Sequence, residues 1–246
     1  MKTILLIATA IFTLSATAQD KNYKNDKKAN WEKMKQYMPV MVKTGGVSFQ
    51  EFDGLNSRIA GFPQYKTLRG HTWNVGLGSM HNIKGFISQL NVTAGSSLTG
   101  DPDERSSTVR SLGGSLDLGF DVVPGPFMLY PMAGIGTESY HAIFYKDVNA
   151  VDFDDVANSP STQNSIRSVK FTNRFTTYRF GLGLGFKSPT GHSIGVQGHY
   201  VGSFKTDKPW RSSENQSLSG APVDELNRIS VGLVITGSMM GMMKHK

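Results

Sequence analysis

The residues that most often carry chemistry are scattered here. Histidines stand at 71, 81, 141, 192, 199 and 245. None shares a His-x-x-x-His or His-Glu-x-x-His spacing, which would set two imidazoles on one helix face for a metal. No Gly-x-Ser-x-Gly elbow occurs, and the absence of cysteine removes thiolate ligands, thiol nucleophiles and disulfides. His192-Ser193 is the one pairing reminiscent of a lipid hydrolase, yet adjacent strand residues point to opposite faces. Asp147, Asp152, Asp154 and Asp155 form one oxygen-rich group, and Asp101, Asp103 and Glu104 another. The first lacks the EF-hand calcium spacing, and both read as solvated loops. The remaining polar candidates, Asp117, Asp121, Glu138, Arg179, Lys187 and Gln197, draw their interest from their neighbours. They interrupt segments in which every second residue is apolar.

Those segments must position them. Trp73, Val75 and Leu77 alternate with polar or glycine residues, as do Leu112, Leu116, Leu118, Phe120 and Val122. Tyr178, Phe180, Leu182, Leu184 and Phe186 alternate with Arg179, Gly181, Gly183, Gly185 and Lys187. A two-residue period is a strand signal. It predicts eight strands near 45–52, 70–80, 85–97, 108–122, 127–142, 174–187, 192–204 and 227–239. Connections at 81–84, 123–126 and 188–191 are short, two of them with Pro and Gly in turn-forming order. Those at 53–69, 98–107, 143–173 and 205–226 are long and polar. Unequal connections of this kind predict an all-β fold: an eight-stranded antiparallel up-and-down transmembrane β-barrel with short periplasmic turns and long outer loops. Pro131, inside a strand, is expected to mark a bulge or strand end because it donates nothing to a ladder. Residues 54–61 read as a short helix with Asp53 as N-cap, set to plug the barrel mouth or pack on its rim.

Alternation does not say which face is outside. A lipocalin-like soluble barrel encloses its apolar face around a ligand. Here the polar face is built of Gly, Ser, Thr, Asn and Gln with a few charges, which suits a crowded lumen. Hydrocarbon admits a sheet only when closed, since every backbone polar group must be paired. The apolar face is therefore assigned to lipid, with Phe86, Phe127, Tyr178, Phe186, Tyr200 and Phe204 as candidate interface girdles. The lumenal acids and bases are expected to neutralise one another, and Asp117, Asp121, Glu138 and Arg179 to form one ionic network.

The first eighteen residues have the layout of a secretory signal peptide: Lys2, an apolar run from Ile4 to Leu14, then small residues. Residues 19–44 are a lysine-rich periplasmic segment, 45–240 the barrel domain and 241–246 a C-terminal tail. Between Asp20 and Gly46 stand seven lysines against three acids, which makes up most of a formal charge of +7. That segment reads as a solvated tether, or as a contact to anionic headgroups. No nucleic-acid-binding motif accompanies it. No apolar run of about 18 residues provides a membrane helix. Glycine, 27 of 246 residues, is well above its usual ~7% share.

Three stretches resemble the outer-membrane β-barrel domain proteins of Bacteroidetes. They are Phe52-Asp53-Gly54-Leu55-Asn56-Ser57-Arg58 continuing to Gly61-Phe62-Pro63, Leu129-Tyr130-Pro131-Met132-Ala133-Gly134-Ile135-Gly136, and Arg179-Phe180-Gly181-Leu182-Gly183-Leu184-Gly185-Phe186. The resemblance implies an exported outer-membrane barrel and carries over no catalytic residue or cofactor. Such barrels often end in an aromatic residue, whereas this chain ends Lys244-His245-Lys246. The resulting reading is a non-enzymatic barrel in outer-membrane lipid, with a structural role or an extracellular ligand held by loops 53–69, 143–173 and 205–226, and no nucleic acid. The alternatives are a narrow pore for small or apolar solutes, a barrel-embedded lipid-modifying enzyme using His192 and Ser193, and a soluble ligand-binding barrel.

Overall fold

The computed structural model describes residues 39–123, 125–147, 153–160, 168–188, 192–204 and 208–238. The signal-peptide reading, residues 19–38 of the lysine-rich segment and the C-terminal tail lie outside them. In chain order the elements are β1 (Val40–Gln50), α1 (Asp53–Ala60), β2 (His71–Ile83), β3 (Phe86–Ser96), β4 (Ser107–Phe120), β5 (Phe127–Phe144), α2 (Phe153–Asn158), β6 (Val169–Lys187), β7 (Ser193–Ser203), β8 (Arg211–Ser212) and β9 (Asn227–Ser238).

Strands β1 to β7 form an antiparallel meander. Strand β9 pairs with both β7 and β1 and closes the barrel at eight strands, while β8 adds two residues to the far end of β6. The register fixes the tilt. Paired residues run from Phe186 through Ile194, Ile235, Lys43, Leu77, Val92, Gly114 and Thr137 to Thr176. The circuit returns to β6 ten residues from its start. Ten residues at ~3.3 Å, against eight interstrand spacings of ~4.8 Å, incline the strands by about 40°.

Short turns gather at one end. There Lys84 and Gly85 both have positive φ, 52° and 88°, the twist that a two-residue hairpin requires. The long connections gather at the other end, as the sequence predicts. The first strand starts at Val40, five residues before the predicted edge, because Gly45 and Gly46 interrupt the apolar alternation at its middle. Pro131 marks neither a bulge nor a strand end. Strand β5 runs through it, and the β4–β5 ladder stops at Gly119↔Met132, so the missing N–H lies one residue beyond that pairing.

Trp73, Leu77, Leu90, Leu118, Ile135, Phe180, Leu184, Val196, Ile229 and Leu233 are all exposed, and the polar alternates face inward. The apolar face is therefore the outer one. On β2 it spans Trp73 to Ile83, with Ser79 and His81 outward between Leu77 and Ile83: ten residues, or about 25 Å of height at that tilt. Among the described residues no helix is long and apolar enough to cross a membrane, which says nothing of strands.

Candidate functional site

Inward positions build the interior in three levels. At the short-turn end Val42, Met80, Ile87, Met128, Tyr130, Met132 and Val234 form an apolar cluster. At its rim Lys187 Nζ meets Asp121 Oδ2 at 2.6 Å, and Asp121 also accepts from the Leu129 N–H at 3.2 Å.

The middle level is polar. Asp117 and Arg179 lie in one row of the sheet, on β4 and β6, with Gly134 of β5 between them. Arg179 Nε stands 3.3 Å from Asp117 Oδ1, near enough for ion pairing though not aligned as a hydrogen bond. Ser115 Oγ donates to the other carboxylate oxygen at 3.0 Å. Gly134 permits this reach, because a Cβ there would fall on Asp117 Oδ1 and on the Leu116 carbonyl. Gly134→Val is therefore expected to destabilise the barrel by about 2 kcal/mol or more, read as a lower urea midpoint. The outward Gly114→Ala, whose added carbon meets nothing closer than 3.7 Å, should change it little.

Gln197 Nε2 donates to Gln89 Oε1 at 3.0 Å and to the Tyr130 hydroxyl at 2.8 Å. Glu138, Tyr140 and Arg228 close a ring. Arg228 Nη2 lies 2.5 Å from Glu138 Oε1, its Nη1 donates to the Tyr140 oxygen at 3.1 Å, and that hydroxyl donates to Glu138 Oε2 at 2.8 Å. Beside the arginines is a small, partly open pocket of about 70 Å³, lined by Ser48, Asn91, Gln197 and His199 and also by Gly46, Val231, Leu233 and Val234. Asn91 Oδ1, Arg179 Nε and Arg228 Nε face it with no hydrogen-bond partner among the described residues.

At the loop end Phe52, Leu55, Ile59, Leu68, Val109, Tyr140, Phe144, Phe175, Val201, Trp210 and Leu226 form a second apolar cluster, which places α1 across the mouth. The predicted cap of this helix is corrected. Asp53 is the first helical residue, and Phe52 holds the N-cap position with no side-chain acceptor. The acceptor is Asp224, which takes the Gly54 and Leu55 N–H groups at 2.6 and 3.0 Å and the Trp210 indole N–H at 2.7 Å. A helix start has orphan donors that any nearby carboxylate can satisfy, wherever it lies in the chain.

Asp117, Glu138, Arg179 and Gln197 thus occupy the interior, and Asp121 and Lys187 its short-turn rim. The expected single network of Asp117, Asp121, Glu138 and Arg179 is instead three separate ion pairs. Strand register sets Asp121 four residues below Asp117, where Lys187 is nearer than Arg179. Arg228 escapes the sequence reading, although it precedes Ile229 on the polar side of the same alternation. His192 and Ser193 are not paired for catalysis: the Ser193 hydroxyl lies 2.7 Å from Thr236 Oγ1 and bonds there. Asp147 accepts from the Arg105 N–H at 2.6 Å and Asp101 from the Asp103 N–H at 3.0 Å, while Asp152 lies outside the described residues. Among the described residues no group of three or more His, Asp or Glu side chains is arranged to hold a metal.

No protein-family model and no curated protein matches the chain. Among solved structures it is similar to a major outer membrane protein of Thermus thermophilus, at 10% identity and TM-score 0.47 over 82% of this chain and 100% of that one. It is similar also to Ail, the attachment invasion locus protein of Yersinia pestis, in complex with the heparin analogue sucrose octasulfate (13%, TM-score 0.45, 81% and 98%). A third is the outer membrane protein OprG of Pseudomonas aeruginosa (12%, TM-score 0.43, 81% and 96%). The matches include a protease and a phospholipase A from the outer membrane of Escherichia coli. At such identities the likeness is one of fold alone.

Proposed function

We propose that the chain is a non-enzymatic outer-membrane barrel, exported by its first eighteen residues, whose loop end forms a folded platform for an extracellular ligand. The likeness to Bacteroidetes barrel-domain proteins belongs to this proposal. The carrying observation is the outer wall: a closed barrel turns a broad apolar belt outward, broken by Lys43 between Leu77 and Ile235, and all its other charges at that height inward. In water such a belt, far above the few hundred Å² that a soluble monomer exposes, would drive association. In hydrocarbon it is the stable arrangement. The aromatic residues support the same placement. Phe127 and Phe186 pack edge to face 5.7 Å apart near the short turns, and Tyr178 contacts Tyr200 and Phe204 towards the loop end.

The interior favours a platform over a pore. Among the described residues apolar clusters occupy both ends, and the polar level between them is crossed by ion pairs and hydrogen bonds. The loop side is instead tied into one packed unit by α1, Trp210 and Asp224.

Two tests bear on this. In envelope fractionation the protein should stay with the outer membrane, and its unboiled form should migrate differently from the boiled one. Soluble recovery with heat-insensitive migration would end the reading. Leu182 lies midway between Phe186 and Tyr178 on β6. Leu182→Arg should cost ~2–4 kcal/mol of stability in lipid bilayers, as a charge at the midplane does. A soluble barrel would tolerate it.

A further inference from the structure

The six charged residues that the barrel wall turns inward are three acids and three bases, in pairs. Outward the balance is lost. Every formally charged residue that the eight barrel strands turn outward is basic: Lys43, Arg110, Lys170 and Arg174, all exposed. Three of the four share one wall at the loop end, where β4, β5 and β6 rise beyond the rest of the barrel and pair as far as Ser107, Phe144 and Val169.

Their heights follow from the register. Thr172 pairs with His141, and His141 with Arg110. Those two interstrand steps descend about as far as the two residues from Thr172 to Arg174, so Arg110 and Arg174 stand level to within about 2 Å. Their Cα atoms are about 12 Å apart across two interstrand spacings, with His141 outward between them and Lys170 above. Leu112, the last exposed apolar residue of β4, is two residues below Arg110, or about 5 Å in height. Among the described residues no side chain pairs with Arg110, Lys170 or Arg174, and no outward carboxylate shares their wall.

We propose that this wall binds the phosphate of an acylated lipid headgroup in the outer leaflet, held between Arg110 and Arg174. The inference rests on the membrane placement proposed above. Guanidinium forks match phosphate oxygens in geometry and charge. Leu112 stands directly beneath Arg110, and below Ser139, Thr137 and Thr176 the wall is apolar again at Ile135, Tyr178 and Phe180, so an acyl chain and its phosphate meet the wall in the right vertical order. A free phosphate or soluble polyanion would have no use for those apolar residues.

The test uses the full chain in phosphatidylcholine bilayers, folded as judged by heat-shifted migration. Electron paramagnetic resonance of spin-labelled lipids then compares phosphatidic acid with phosphatidylcholine at the protein boundary. Phosphatidic acid should be preferred by about fivefold or more. The preference should vanish in Arg110→Gln/Arg174→Gln and persist in Lys43→Gln, a cation on a different part of the wall. A folded, inserted protein with no preference, or a preference that survives the double substitution, overturns the proposal and leaves the membrane reading standing. Displacement by inorganic phosphate at equal concentration also overturns it, because the acyl chain would then contribute nothing. Failure to insert overturns the membrane reading instead, which Arg110→Gln/Arg174→Gln does not affect.

Discussion

Arg228→Leu is expected to destabilise the barrel by about 3–5 kcal/mol, the cost of leaving a buried charge without its partner. The substitution strands Glu138, whose side chain is 3% exposed, and removes the donor that holds the Tyr140 oxygen. On its loop side the ring adjoins the apolar cluster, of which Tyr140 is itself part. The double substitution Arg228→Leu/Glu138→Leu should recover most of the loss, because two packed apolar side chains replace a pair whose desolvation offsets much of its attraction. A double-mutant cycle on urea midpoints in lipid vesicles, with unchanged denaturant slope, measures that coupling. Additive losses from the two single changes would show that the ring does not act as a unit. Lys187→Met supplies the contrast. Its own side chain is 38% exposed at the short-turn rim while that of Asp121 is 4% exposed, and Asp121 keeps the Leu129 N–H, so the loss should be smaller, about 1–3 kcal/mol.

The contrast between those pairs explains how much of the molecule is legible in its residues. Alternation alone fixes which side chains share a face, and it groups Asp117, Glu138, Arg179 and Gln197, all of which are buried. It does not fix height, because height depends on register. Register is the sum of eight pairings, and the ten-residue shift around this barrel is written in no single segment. Alternation therefore groups Asp121 with residues four positions above it. Arg228 is hidden for a related reason. It stands at the edge of a polar loop, where one charged residue looks like solvent-facing sequence until the strand it begins is extended by parity. The first strand shows the opposite failure: Gly45 and Gly46 erase the alternation at the point where the chain is already in the sheet.

Interactions between distant loops leave still less trace. Asp224 lies 170 residues from the Gly54 N–H that it accepts, and its neighbours Pro222, Val223 and Glu225 carry no helix signal. Trp210 offers the only local hint, as a large aromatic residue in an otherwise polar connection. Its complete burial is what ties two long loops to one lid. From the sequence the helix fits either the rim or the mouth. Leu55 and Ile59 decide between these, since both are buried against residues that the strands turn inward.

Asp224→Ala is accordingly expected to open the lid while leaving the barrel closed. It would strip acceptors from three donors at once: two helix-start N–H groups and the Trp210 indole. Each buried donor left unsatisfied costs roughly 1–3 kcal/mol. The loss should stay local, since the strands keep their own ladders and local openings need not involve the whole fold. Amide exchange from Gly54 to Ile59 should accelerate by about a hundredfold or more, and Trp210 fluorescence should shift to longer wavelength as the ring meets water. Exchange in β2, β3 and β4 should hardly change. Asp224→Asn keeps one acceptor oxygen and should fall between the two. If exchange rises equally in the strands, the lid and barrel form a single cooperative unit, and the platform could not be remodelled without unfolding the wall. If only the lid responds, the ligand-facing loops are separable from the barrel, and their sequence is free to vary so long as the aspartate, the indole and the helix start are retained.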